Sequence, residues 1–215
     1  MSVLTQLLPR LHATGTSRLP YQHNVLLRSF VLQRPAGNVV IYNSPGIDEA
    51  SGAIDRLGGA SRLLVNHAHE AMYGNPGLDL AVSVHERDRA EAARSMRVDS
   101  IFRDRHMIDD DLEVIPTPGH TPGTTSFLWN SGEHRFLFTG DFIWIESGEW
   151  KAVVLSPALR DEYLASLAVI RDLDFDVLVP WGVTEDGPSF AMTDQDDRHQ
   201  RIDAIIARVE AGGSR

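Results

Sequence analysis

Eight residues constrain this chain more than any others: Pro116-Thr117-Pro118-Gly119-His120-Thr121-Pro122-Gly123. Three prolines and two glycines in so short a stretch exclude regular structure, so the segment must be a rigid loop. It follows directly on an apolar run, Leu112–Ile115, which reads as a strand, and it suspends His120 between prolines. A backbone restricted on both flanks lowers the entropic cost of fixing that imidazole as a ligand.

Two other segments repeat the pattern of a strand that ends on a potential ligand. The apolar run Arg62–Asn66 stops where Asn66-His67-Ala68-His69-Glu70 begins, and Arg135–Phe138 stops at Thr139-Gly140-Asp141. Strand ends are where a rigid scaffold presents functional loops. On extended backbone the alternation of side chains sends both imidazoles of His-x-His to the same side, where they can grip one ion. Asp141 follows an apolar strand and a glycine, a place ill suited to a mere surface charge.

Composition narrows the chemistry. The chain of 215 residues has no cysteine, which removes disulfides, thiolate zinc sites, iron–sulfur clusters and cysteine nucleophiles together. Any metal must be held by His, Asp or Glu. With 20 Lys+Arg against 30 Asp+Glu the net charge is −10, which disfavours nucleic acid and anionic membranes as partners. No apolar run approaches a membrane span, and Met1–Leu11 lacks the layout of a secretory signal, so a cytoplasmic protein is expected.

The rest of the chain reads as strands and helices in two similar blocks. Strands are expected over Val25–Gln33 and Asn38–Asn43, split by the turn Arg34–Gly37, and then a helix from an N-cap at Asp48 to Leu57. Ala81–Val84 is a further strand, with a charged helix near Glu86–Met96. Thr124–Trp129 and Arg135–Phe138 form a pair. A helix opens at Ser156-Pro157 and buries Leu159, Tyr163, Leu164, Leu167 and Ile170 at spacings of three and four. Asp176–Pro180 is the last strand. A C-terminal helix from Thr193 or Asp194 carries Ile202, Ile205, Ile206 and Val209 on one side, and a frayed tail is expected over 211–215.

Taken in order, His67-x-His69 after a strand, Thr117-Pro118-Gly119-His120-Thr121-Pro122-Gly123, Phe138-Thr139-Gly140-Asp141 and Val179-Pro180 resemble the metallo-β-lactamase fold superfamily. The resemblance runs from about Val25 to Val183. It implies an α+β fold, a four-layer αββα sandwich of two halves forming a single domain over 1–215, with a metal site in the cleft at one edge. Members are mostly hydrolases of lactams, thioesters, lactones and phosphodiesters, with a minority of iron redox enzymes.

The departures from the family pattern bear on mechanism. The usual His-x-His-x-Asp-His reads His67-Ala68-His69-Glu70-Ala71-Met72 here, and the late His falls at Gly182. Carried over residue by residue, the first metal site keeps His67, His69 and His120, whereas the second keeps only Asp141. The site is therefore degenerate, with one divalent metal expected. Zinc suits three His and an open position, where it brings the pKa of water to about 7. Iron is the alternative, since His67, His120 and Asp141 make a two-His, one-carboxylate set.

The expected activity is hydrolysis of an ester, thioester or amide-like bond in a small molecule. Asp141 would complete or orient the site, and Glu70 would act as base if the backbone turns it into the cleft. A catalytically inactive binding protein and an iron oxidoreductase acting on a thiol or persulfide are the alternatives. Met72 is expected to pack into the vacated second site, and Trp144, Trp150 and Trp181 to serve ordinary packing. Asp109-Asp110-Asp111 reads as a solvated turn. His12, His23, His85, His106, His134 and His199 read as surface or loop side chains, with His106 a candidate to border the cleft.

Overall fold

A computed structural model describes residues 4–185 and 187–214; the side chain of His23 lies outside the described residues. Period-two alternation in the strands decides the layering. In Arg135–Gly140, Phe136 and Phe138 point one way and Leu137 the other; in Val39–Ile41, Val39 and Ile41 oppose Val40. Phe136, Phe138, Val39 and Ile41 share one central core, with Phe30, Leu64, Phe127, Trp129 and Val179. The residues facing outward build two separate cores beneath helices. Val40 and Leu63 pack with Ile47, Ala50 and Ile54 of the helix Gly46–Arg56. Leu137 and Leu178 pack with Tyr163, Leu167 and Ile170 of Arg160–Arg171 and with Ile202, Ile205 and Val209 of Gln195–Glu210. Helices thus cover both outer faces of facing sheets, the αββα sandwich that the resemblance implies.

Pairing of distant segments assembles the sheets. A seven-stranded sheet runs from the N-terminal hairpin Leu4–Leu8 and Leu11–Thr14 through Phe30–Leu32 and Val39–Ile41 to parallel strands Arg62–Leu64, Ala81–His85 and Ser100–Phe102. A six-stranded sheet holds Leu112–Pro116, Thr125–Asn130, Arg135–Gly140 and, parallel to the last, Val177–Pro180. A five-stranded sheet joins the hairpin Ser17–Leu19 and Gln22–Leu27 to Gly182–Thr184, Ile143–Glu146 and Glu149–Ala152. Among the described residues no helix is long and apolar enough to cross a membrane.

Several local expectations change. The stretch Val25–Gln33 is two strands in different sheets, broken at Arg28-Ser29. Pro45, not Asp48, caps the helix Gly46–Arg56, which leaves Asp48 in its first turn. The charged helix expected near Glu86–Met96 is a 3-10 turn, Glu86–Asp88, and a short helix, Arg89–Ala92. Asp109 and Asp111 do not simply face solvent: both clamp the buried Arg34 guanidinium, and Asp111 also accepts from Trp129 Nε1. Near the C-terminus Val154 N donates to Ser214 O, and Arg160 Nη1 donates to the carbonyls of Val209 and Gly213; Arg215, the end of the tail, lies outside the described residues.

Candidate metal centre

Two strand ends deliver the three imidazoles to one place: His67 and His69 follow Arg62–Leu64, and His120 follows Leu112–Pro116. His67 is extended, with φ −154° and ψ 162°, and caps a 3-10 helix, Ala68–Tyr73, that carries His69 in its first turn. The His-x-His pair is therefore not a piece of strand, but the turn still brings the rings together: centroids of His67, His69 and His120 lie 4.9–5.1 Å apart, each pair edge to face. One nitrogen from each lies within 4.8 Å of the others, among the described residues.

Two of the three rings, His67 and His120, are oriented by a hydrogen bond on the side away from the cluster. Asn66 Nδ2 donates to Thr125 O at 2.5 Å, so its Oδ1 is turned to accept from His67 Nδ1 at 2.9 Å. His120 Nδ1 donates to Val153 O at 2.9 Å. In both rings the outer nitrogen is the one engaged by the protein, which leaves Nε2 as the ligating nitrogen; on His67, protonated near pH 7 beside Asp141 and Glu70, an ion would displace the Nε2 proton. His67 Nε2 is buried with no hydrogen-bond partner, an arrangement that costs free energy unless a ligand fills it. Two nitrogens held by one zinc at ~2.0–2.1 Å with tetrahedral angles stand about 3.3 Å apart. His69 Nδ1 and His120 Nε2 are 3.2 Å apart. The donor set fits a divalent ion.

Asp141 comes from a third strand end, that of Arg135–Gly140. Its Oδ2 lies 3.6 Å from His67 Nε2 and 3.9 Å from His120 Nε2, and the side chain is a quarter exposed. Gly140 has φ +58°, and a Cβ there would fall 1.8 Å from Asn66 Oδ1, so only glycine lets Asp141 approach behind Asn66. Tyr42 Oη ties the halves beneath the site, accepting from Gly140 N at 2.7 Å and donating to Val179 O at 2.6 Å.

The electrostatics divide the rings. Burial, reinforced by the charge of His67, pushes His69 and His120 down to about 4, so both are neutral near pH 7. Burial also opposes protonating His67, but Asp141 and Glu70 outweigh it and raise His67 to about 10. Burial likewise opposes ionising Asp141, yet His67 holds it below the ordinary carboxylate range.

Glu70 does turn inward, but away from the open cleft. It is fully buried; Oε1 accepts from the amides of Asn66 and His67 at 2.8 and 3.3 Å, and Oε2 from that of Asn43 at 2.7 Å. The reach back to the N-cap amide is one arm of a capping box. Burial raises its pKa, against these donors.

Asp88 is a residue that the sequence reading did not single out. It is buried, and it joins the two ligand loops: Oδ2 accepts from Ala68 N at 2.9 Å and Thr121 Oγ1 at 2.5 Å, while Oδ1 accepts from Gly123 N at 2.7 Å. A Cβ at Gly123 would strike Asp88 at 2.6 Å, which is why the loop ends on glycine. Its sequence signal was slight, an acid three residues past the apolar strand Ala81–His85 in a run that reads as an ordinary charged helix.

The positions of the second site hold no ligand. Ala71 is buried in a helix-side core, and Met72, expected to fill the vacated space, is 40% exposed. At Gly182 a Cβ would lie 3.0 Å from Val25 and 3.3 Å from Leu27. Trp181 stands edge-on to His67 at 5.3 Å, its indole donating to Asn43 O. Trp144, Trp150 and Trp181 are all buried. His12 and His85 are buried rather than superficial, and His106 is exposed on an edge strand.

A sandwich whose strand ends converge on a histidine cluster defines the class: metal-dependent, hydrolase-like αββα proteins. The chain belongs to the metallo-beta-lactamase superfamily, whose sequence profile matches residues 54–183. Among solved structures it is similar to the DIM-1 metallo-beta-lactamase exposed to ceftazidime, with TM-score 0.71, 12% identity, and 98% of this chain and 97% of that one covered. It is similar also to a metallo-beta-lactamase from Pontibacter korlensis, with TM-score 0.69, 16% identity, and 96% and 98% covered. A third is GOB-18 from Elizabethkingia meningoseptica, with TM-score 0.57, 16% identity, and 87% and 88% covered. At such identities the likeness carries the fold alone. No curated protein matches significantly.

Proposed function

We propose that the protein is a mononuclear metal-dependent hydrolase of an ester, thioester or amide-like bond in a small molecule. The observation that carries the reading is the buried, unpartnered Nε2 of His67 beside the converging nitrogens of His69 and His120. These three residues would hold the ion, zinc in this reading. A divalent ion bound there supplies Lewis acidity, which makes water nucleophilic near neutral pH and polarises a carbonyl. In the hydrolysis the water oxygen bonds to the carbonyl carbon, the bond to the alcohol, thiol or amine breaks, and the water's protons end on the products.

Asp141 is the acid placed to orient the attacking water and take its proton, since it stands beside the histidine cluster and is partly open to solvent. Glu70 serves in this reading as a brace, because both its oxygens already accept backbone amides. The acidic net charge of −10 favours a small substrate over polyanions, and a cytoplasmic setting accords with the cysteine-free sequence.

Metal analysis of protein purified without chelator, and again after chelation and reconstitution, tests the reading. One equivalent of metal and a raised melting temperature are expected. Less than about half an equivalent with no shift in Tm would leave a binding protein without the chemistry. The distances from Asp141 Oδ2 to His67 and His120 also favour a second reading, an iron oxidoreductase acting on a thiol or persulfide. Iron in the purified protein with oxygen uptake on a sulfur substrate would select it.

A further inference from the structure

Beside Asp141 lies a cavity of about 60 Å³, lined by Leu19, Gln22, Val25, Asp141, Trp144 and Val153. Four of the six are apolar in character, and neither Lys nor Arg is among them. Three come from the hairpin strands Ser17–Leu19 and Gln22–Leu27, so Leu19, Gln22 and Val25 form one wall. Trp144 and Val153 come from the other side, and Val153 also gives the carbonyl that orients His120.

Trp144 carries a second, independent signal. Its ring is 6% exposed and its indole N–H has no hydrogen-bond partner. A buried tryptophan N–H is ordinarily satisfied, since burying a donor unpaired costs free energy. Trp181 and Trp129 follow that rule, donating to Asn43 O and Asp111 Oδ2. Trp144 and Trp150 both break the rule, and Trp144 does so while lining this cavity.

From this we infer that the cavity is the acyl pocket of the site and takes a short, uncharged acyl group, with an oxygen of the substrate accepting from the Trp144 indole; the assignment rests on the hydrolase reading. Size sets the first limit. At ~10–15 Å³ per water-sized position the cavity holds about four to six such groups, a butanoyl chain but not a long fatty acyl. Charge sets the second limit. A carboxylate on the acyl chain would lie against Asp141 with no Lys or Arg in the lining to receive it, which disfavours acidic acyl groups.

The test compares 4-nitrophenyl butanoate, decanoate and hemisuccinate with the zinc-reconstituted protein, chelated protein serving as the blank. At least tenfold higher kcat/KM is expected for butanoate than for either of the others. Gln22→Lys places a cation in the wall and is expected to raise hemisuccinate relative to butanoate at least tenfold. Binding is read separately on metal-free protein by saturation-transfer NMR: butanamide binds, succinamate does not, and Trp144→Phe loses butanamide with its Tm retained. Should Trp144→Phe fail to fold, the Gln22→Lys switch decides. Hemisuccinate turned over as well as butanoate, or butanamide binding unchanged in Trp144→Phe, overturns the pocket and leaves the hydrolase. No chelator-sensitive hydrolysis of any ester overturns the hydrolase; butanamide and succinamate binding then decide the pocket alone.

Discussion

The two sides of the cleft are built differently. On one side His67 and His120 each have the outer nitrogen fixed by a hydrogen bond, and a buried carboxylate, Asp88, joins the loops that carry them. On the other side the positions where a second ion's ligands would stand are Ala71, Met72 and Gly182, and the space is taken by Trp181 and by the side chains of Val25 and Leu27. In the proposed mononuclear reading, one half is organised to hold an ion with little rearrangement, and the other, with no histidine or carboxylate at 71, 72 or 182, is closed off by Trp181, Val25 and Leu27.

The largest effect should follow from removing a ligand. His120→Ala is expected to abolish stoichiometric metal and to lower activity more than the ~10–100-fold typical of losing a supporting hydrogen bond. Retention of one equivalent by elemental analysis would break the comparison, because the supported half would not be the binding half. Asp88→Asn comes next. It keeps the shape but sets an amide N–H₂ against backbone N–H donors, so metal affinity should fall ~10–100-fold, as for other residues that orient ligands indirectly. Reconstitution at high metal concentration should restore activity, which loss of the fold alone would not allow.

The packed half is tested by trying to rebuild it. Ala71→Asp with Gly182→His supplies two missing ligand types, yet the metal content should stay at one equivalent. Contacts of 3.0 and 3.3 Å at the Gly182 Cβ should cost ~1–3 kcal/mol by overpacking, read as a lower Tm. Two equivalents of metal would show that the second half is missing only its ligands.

Much of this architecture is legible in local sequence, and the illegible parts share a cause. Phe136-Leu137-Phe138 announces a strand between two cores, and the tyrosine and leucines of Arg160–Arg171 announce a buried helix face. Asp194 caps Gln195–Glu210 through its side chain, as its residue type suggests. What depends on partners far along the chain is not written locally. Gln22–Leu27 leaves the first sheet to pair with Gly182–Thr184, so an apparently continuous run from Val25 divides. Asp88 looks like any surface acid until the loops at Ala68 and Gly123 close over it. His67, His69, His120 and Asp141 were visible because rigid loops and strand ends mark them. Asn66 and Val153, which orient two of the rings, act through an ordinary side-chain amide and a backbone carbonyl.

Glu70 gives the smallest expected kinetic effect and a fine test of how the supported half works. A general base contributes about 10²–10⁴ to the rate, so Glu70→Gln would cost that much if Glu70 moved the proton. As a brace, Glu70 holds the amides of Asn43, Asn66 and His67 with its two oxygens. Gln keeps one oxygen and presents an N–H₂ to the remaining donors, leaving a buried amide unpaired at a cost of ~1–3 kcal/mol. The expected result is a Tm lowered by several degrees, a kcat within about tenfold of the parent, and an unshifted pH profile. A kcat loss of a hundredfold with Tm unchanged would return the proton to Glu70 and take that role from Asp141.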